Sequence, residues 1–158
     1  MISTNSFNIY NASAGTGKTF SLVRDYLCLL LNSNNYELYK NILAITFTNK
    51  AVNEMKGRIV KYLISYSSSV DTDLIMLKEI SKKTGLSKKE IFLKSSIILK
   101  NLLKNYSAFE ISTIDKLTQK IVRNFTYELG IDSKYEVEID QNEIINRAVD
   151  NLISKIEL

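Results

Sequence analysis

Residues Ala12-Ser13-Ala14-Gly15-Thr16-Gly17-Lys18-Thr19 have the types and spacing of a phosphate-binding loop. Gly15 and Gly17 allow backbone angles, and a closeness to phosphate, that a side chain would block. The N–H groups of residues 14 to 19 can then converge as an anion nest. Lys18, the candidate catalytic residue, supplies a flexible cation for the β- and γ-phosphates, and Thr19 a hydroxyl for Mg²⁺. Ala12 stands where the usual pattern begins with glycine. The chemistry implied is the holding of ATP or GTP.

Such a loop works only between a strand and a helix, because the helix N-terminus adds its own unpaired N–H groups. The flanks fit: Phe7 to Tyr10 is β-prone, and Phe20 to Leu31 is helical in pattern. Asn41 to Phe47 reads as a second, parallel strand covered on both faces, which makes a βαβ unit. Residues 49 to 64 read as a helix with Val52, Met55, Ile59 and Leu63 on one face. Ser65 to Asp73 reads as a polar loop. Two helices are expected at 73–83 and 87–104, split at Thr84-Gly85, with Ser87 and Glu90 as a capping box. A third strand is expected at Glu110 to Thr113, then a helix from Asp115 to Leu129 that stops at Gly130. Lys134 to Asp140 alternates like a half-exposed strand, and 141–156 closes as an amphipathic helix.

With 158 residues, 45% of them hydrophobic and 24% charged, the chain can build an ordinary globular core. It has no His, so imidazole catalysis and His-ligated metals are excluded within it. Cys28, the single cysteine, lies among leucines and reads as a buried thiol. The apolar run Leu27 to Leu31 is far too short to span a bilayer, and the first residues lack the pattern of a secretory signal. No membrane association and a cytoplasmic location are expected. Charge is uneven: residues 78–104 hold eight Lys against two Glu, and residues 127–158 eight acids against three bases. The basic segment could track a phosphate backbone or form a solvated surface.

Ile42-Leu43-Ala44-Ile45-Thr46-Phe47-Thr48-Asn49-Lys50-Ala51-Val52-Asn53-Glu54-Met55 resembles motif Ia of the UvrD/Rep superfamily 1 DNA helicases. Ser112 to Val122 resembles their motif Ib, and Tyr135 to Gln141 the approach to their 1B subdomain. With the phosphate loop, these matches fall in family order across nearly the whole chain. The position of the loop and the long insertion before motif Ib are similar to the AddA/RecB branch.

The resemblance implies an α/β, RecA-like P-loop NTPase fold: a partial parallel sheet flanked by helices. Domain 1A would occupy residues 1–130, with a helical insertion at about 66–106, and a helical 1B subdomain would begin at 131–158. It implies ATP and Mg²⁺ as cofactors, held by residues 12–19. Phe47, Thr48, Asn49, Thr113 and Asp115 would line single-stranded DNA, with Phe47 stacking on a base unless it is a core aromatic. It further implies 3′→5′ translocation during unwinding of duplex DNA in repair and recombination, and a nuclease or helicase partner subunit.

Asp115 stands where many members carry His; a carboxylate there is expected to cap the following helix or bond a base edge. None of the residues before Ala12 is the glutamine the family uses for adenine. No later strand ends in the Asp-Glu pair needed for Mg²⁺ and the attacking water. The expectation is the N-terminal piece of a protein several times longer, or a truncated gene product, inactive in hydrolysis alone. Two other readings stand beside it: a non-catalytic nucleotide- or DNA-binding module, and a small P-loop kinase. The four arginines, Arg24, Arg58, Arg123 and Arg147, are scattered in sequence rather than grouped as a kinase lid would group them.

Overall fold

A computed structural model describes residue 9 and residues 17–68, 73–132, 135 and 141–156 of the chain. The side chains of Gln141 and Ile156 are outside that description. By contacts the chain divides into two units, Met1–Leu117 and Thr118–Leu158.

The first unit is built on α1 (Lys18–Asn32) and α2 (Asn49–Ser68), joined through a short 3₁₀ turn and the strand β1 (Ala44–Thr46). The hairpin of α3 (Leu74–Thr84) and α4 (Lys88–Lys104) follows, and a second 3₁₀ turn, Tyr106–Ala108, leads into β2 (Ile111–Thr113). The strands are parallel, with Ala44 opposite Ile111, Ile45 opposite Ser112 and Thr46 opposite Thr113. The described part is thus mostly helical around a two-stranded parallel sheet, as an α/β fragment would be.

The helical periodicities decide what is buried. In α1, Val23, Tyr26, Leu27, Leu30 and Leu31 recur at helical spacing and all face the core. In α2 the buried row is Val52, Met55, Ile59, Leu63 and Tyr66. In α4 it is Ile91, Ser95, Ile98 and Leu102. Met76, Leu77 and Ile80 of α3, with Phe109 and Ile111, complete one cluster. Burying each large apolar side chain stabilises by roughly 1.5–3 kcal/mol before entropy is subtracted.

The α3–α4 hairpin is as expected. Asp73 caps α3 by accepting from the Ile75 and Met76 amides at 3.0 and 3.1 Å. Gly85, at φ 74°, ends it in the left-handed region where a side chain is strained. Ser87 and Glu90 make the capping box of α4. The Ser87 hydroxyl and amide both donate to Glu90, and these bonds hold its carboxyl below the usual carboxylate range.

Three expectations about the elements need correcting. The polar stretch Ser65 to Ser68 is helix rather than loop, because Tyr66 is fully buried and stacks between Tyr62 and Phe92. The second strand is short, with a 3₁₀ turn over Leu38–Asn41, and one face is open: Leu43 is 46% and Ile45 42% exposed. Among the described residues β1 has one strand neighbour, β2. Of the expected first strand only Ile9 is described, outside any strand and exposed; Phe7, Asn8 and Tyr10 lie outside the described residues.

The second unit contains most of α5 (Ile114–Asn124) and α6 (Gln141–Ile156). The third correction is here: α5 ends at Asn124, and turns carry the chain to Gly130 at φ 63°. The expected extended segment Lys134 to Asp140 lies outside the described residues except Tyr135, whose hydroxyl donates to the Gln119 carbonyl at 3.4 Å. The apolar side chains of this unit, Ile121 on α5, Phe125 in the turn after it, and Ile144, Val149 and Leu152 on α6, are about half exposed.

Cys28 is buried on α1, and burial pushes its thiol up to about 11. The thiolate is the reactive form, so Cys28 will resist alkylation at neutral pH in the folded protein and react fully once denaturant is added. Rapid labelling of the native chain by iodoacetamide, followed by mass spectrometry, would contradict this.

Candidate functional site

Of the phosphate loop, Ala12, Ser13, Ala14, Gly15 and Thr16 lie outside the described residues, and Gly17, Lys18 and Thr19 lie within them. Gly17 sits at φ 82°, ψ 23° as the residue before α1. A Cβ there would meet only the Phe20 Cβ at 4.0 Å, so the backbone angle, not crowding, is what asks for glycine. Lys18 and Thr19 form the first turn of α1, Lys18 exposed and Thr19 half-buried. That turn has no acidic residue and no side-chain cap. Among the described residues, nothing caps the first-turn N–H groups of this 15-residue helix, and its partial positive charge lies beside a lysine, which suits a phosphate.

α1 is gripped farther along. Arg24 contacts Asp25 at 2.9 Å and Glu79 of α3 at 3.4 Å, and Lys83 of α3 reaches Asp25 at 2.7 Å. Lys94 of α4 donates to the Leu31 and Ser33 carbonyls at 2.8 and 3.1 Å, where the helix end has no backbone partners of its own. Sequence reasoning missed this grip, since ion pairs between residues this distant in sequence leave no local pattern.

The register of the sheet brings the motif Ia and Ib segments together. Thr46 lies opposite Thr113 at the end of the two strands, so Phe47, Thr48 and Asn49 leave the same edge as Ile114 and Asp115. Phe47 is 84% exposed, so it is not the core aromatic that the sequence allowed. Thr48 caps α2, its hydroxyl accepting from the Ala51 amide at 3.2 Å, while Thr46 donates to the Thr48 carbonyl. Thr113 is buried, and its hydroxyl accepts from the Lys116 amide at 3.3 Å. The cap of α5 is therefore Thr113 and not Asp115, which occupies the exposed first turn. A turn beginning directly after a strand leaves the last strand residue as the only side chain placed to reach that amide. The described edge thus presents one exposed aromatic, the exposed cap Thr48 and one carboxylate, with the second cap, Thr113, buried behind them.

No helix among the described residues is long and apolar enough to cross a membrane. Among those residues no group of three or more Cys, Asp or Glu side chains could hold a metal alone. A magnesium ion at Thr19 would need water and phosphate oxygens for its remaining ligands.

A glycine-led helix with lysine and threonine in its first turn and a parallel strand pair whose ends carry two motif segments point to one class. The chain belongs to the UvrD/REP helicases: the N-terminal domain of that family matches residues 2–157. Its relatives are RecB proteins and the A subunits of ATP-dependent helicase/nucleases. It is 32% identical over 155 residues to "RecBCD enzyme subunit RecB" of Buchnera aphidicola, a match covering 90% of this chain and 12% of that protein. It is 31% identical over 143 residues to the A subunit of the ATP-dependent helicase/nuclease of Streptococcus uberis, covering 90% of this chain and 10% of the relative. The corresponding protein of Natranaerobius thermophilus is 28% identical over 144 residues, 87% of this chain and 9% of the relative. The chain therefore spans roughly a tenth of the length of these relatives. No solved structure matches it.

Proposed function

We propose that the chain is the nucleotide-binding front of an ATP-dependent DNA helicase or helicase–nuclease subunit. The observation that carries this reading is the uncapped, acid-free start of α1 behind a left-handed Gly17, with Lys18 and Thr19 in its first turn. Residues 12–19 hold the triphosphate, Lys18 neutralising β/γ oxygens and Thr19 meeting Mg²⁺. When bound, ATP-Mg²⁺ supplies the phosphoanhydride whose cleavage drives translocation in the whole protein. Phe47 stacks on a base of single-stranded DNA; Thr48 and Thr113 hold the two edge loops by capping their helices, and Asn49 and Asp115 flank the strand. Domain 1A occupies 1–130, with its insertion at about 66–106, and 131–158 opens subdomain 1B. The parent moves 3′→5′ with a partner subunit in recombinational repair, in the cytoplasm.

The chain alone binds nucleotide weakly and does not turn it over, since no Asp-Glu pair follows a strand after Thr113. A filter-binding assay with a single-stranded oligonucleotide tests the DNA half. Phe47→Ala should weaken binding by an amount equivalent to about 1–3 kcal/mol, the usual worth of one stacked base. Equal affinity of the two proteins would remove Phe47 from the site. Steady ATP hydrolysis by the chain, lost in Lys18→Ala, would show a catalytic acid that this reading lacks. DNA binding that ignores nucleotide would favour the non-catalytic module instead.

A further inference from the structure

The α3–α4 segment carries eight lysines and two glutamates, and the structure shows which charges are already committed. Glu79 is taken by Arg24 and Glu90 by the Ser87 cap. Lys83 pairs with Asp25, Lys94 with the end of α1, and Lys88 lies 5.3 Å over the Phe92 ring. Lys78, Lys82, Lys89, Lys100 and Lys104 have no ion pair among the described residues. Three of these share one line on α4. Lys89, Leu93, Ser96, Lys100 and Lys104 recur at four, three, four and four residues, all exposed, opposite the buried row Ile91, Ser95, Ile98 and Leu102. No acid interrupts the line.

We propose that this outer line of α4 is a second nucleic-acid contact, a straight cationic rail for the phosphate backbone of duplex DNA. The helix places Lys89 and Lys104 about 22 Å apart. A duplex carries one phosphate charge per roughly 1.7 Å of axis, so a stiff rod of charge can meet all three lysines, whereas a flexible strand must be ordered first. Protein–protein interfaces are depleted in lysine, which argues against an acidic protein as the occupant. The rail is distinct from the Phe47 edge. α4 joins the sheet through Tyr106–Ala108 at the end where β2 begins, opposite to the end from which Phe47 and Asp115 leave.

The test is fluorescence anisotropy with a labelled blunt 20-base-pair duplex over a series of KCl concentrations. The Lys89→Gln/Lys100→Gln/Lys104→Gln variant should bind at least tenfold more weakly at low salt. Its plot of log affinity against log salt should flatten by about 0.9 for each phosphate that is no longer neutralised. All three side chains are exposed, so folding is undisturbed, and an unchanged melting curve confirms it. Unchanged affinity and slope would overturn the proposal. So would an equal loss in a Lys40→Gln/Lys61→Gln/Lys155→Gln variant, which would reduce the effect to net charge. Binding of poly-glutamate through the same lysines, with no duplex binding, would assign the rail to an acidic protein. Single-strand binding sensitive to Phe47→Ala should persist in the α4 variant, so failure of the rail and failure of the edge site are told apart.

Discussion

Lys18→Ala will weaken binding of Mg-ATP by one to two orders of magnitude. A hydrogen bond from a charged donor contributes about 1.5–3 kcal/mol, which corresponds to that range. The exposed position of Lys18 in the first turn of α1 makes the loss one of binding rather than of fold. Titration with a fluorescent ATP analogue, alongside thermal melts, separates the two. Affinity should fall while the melting temperature without nucleotide stays put. Lys18→Arg should recover part of the affinity at best, because a planar fork cannot replace a compact ammonium in a tight cradle. Unaltered affinity in Lys18→Ala would place the nucleotide elsewhere or remove it from the proposal.

Phe109→Ala will destabilise the first unit by about 3–5 kcal/mol, the usual cost of removing a buried phenyl ring. Phe109 is fully buried two residues before β2. It meets Tyr26 of α1 and Tyr106 edge-on at 5.8 Å, and Lys56 of α2 lies 5.5 Å over its ring. One side chain thus joins α1, α2 and the entry to the sheet. The loss should leave the denaturant m-value unchanged and lower the midpoint of a urea titration. A shift below about 1 kcal/mol would mean that the site collapses around the missing ring. Phe109→Leu, which keeps most of the volume, should cost much less.

Much of this arrangement was legible in the sequence, for identifiable reasons. The buried rows of α1, α2 and α4 follow their helical periodicity, and Gly85 with the Ser87–Glu90 box marks the hairpin. The parallel strand ends were legible from Thr46-Phe47 and Ser112-Thr113. What failed was local polarity taken as structure. Ser65 to Ser68 read as a loop, yet Tyr66 is drawn into the core by ring contacts from α2 and α4, and tertiary packing overrides a weak serine preference. Asp115 read as a cap, yet Thr113 already reaches the amide. The charge network on α1 was invisible because its members are far apart in the chain.

That network gives α1 two ends of different character. From Val23 onward one face of the helix is buried, and at Arg24, Asp25 and its final carbonyls it is tied to the hairpin; Lys18 to Leu22 are exposed or half-buried. Opening the helix is therefore expected to cost less at its first turn than at the end tied to the hairpin. A ligand at Lys18 and Thr19 orders the cheap end against a fixed one. If the proposed nucleotide binds there, the first turn can tighten and relax with it while the core beneath stays still.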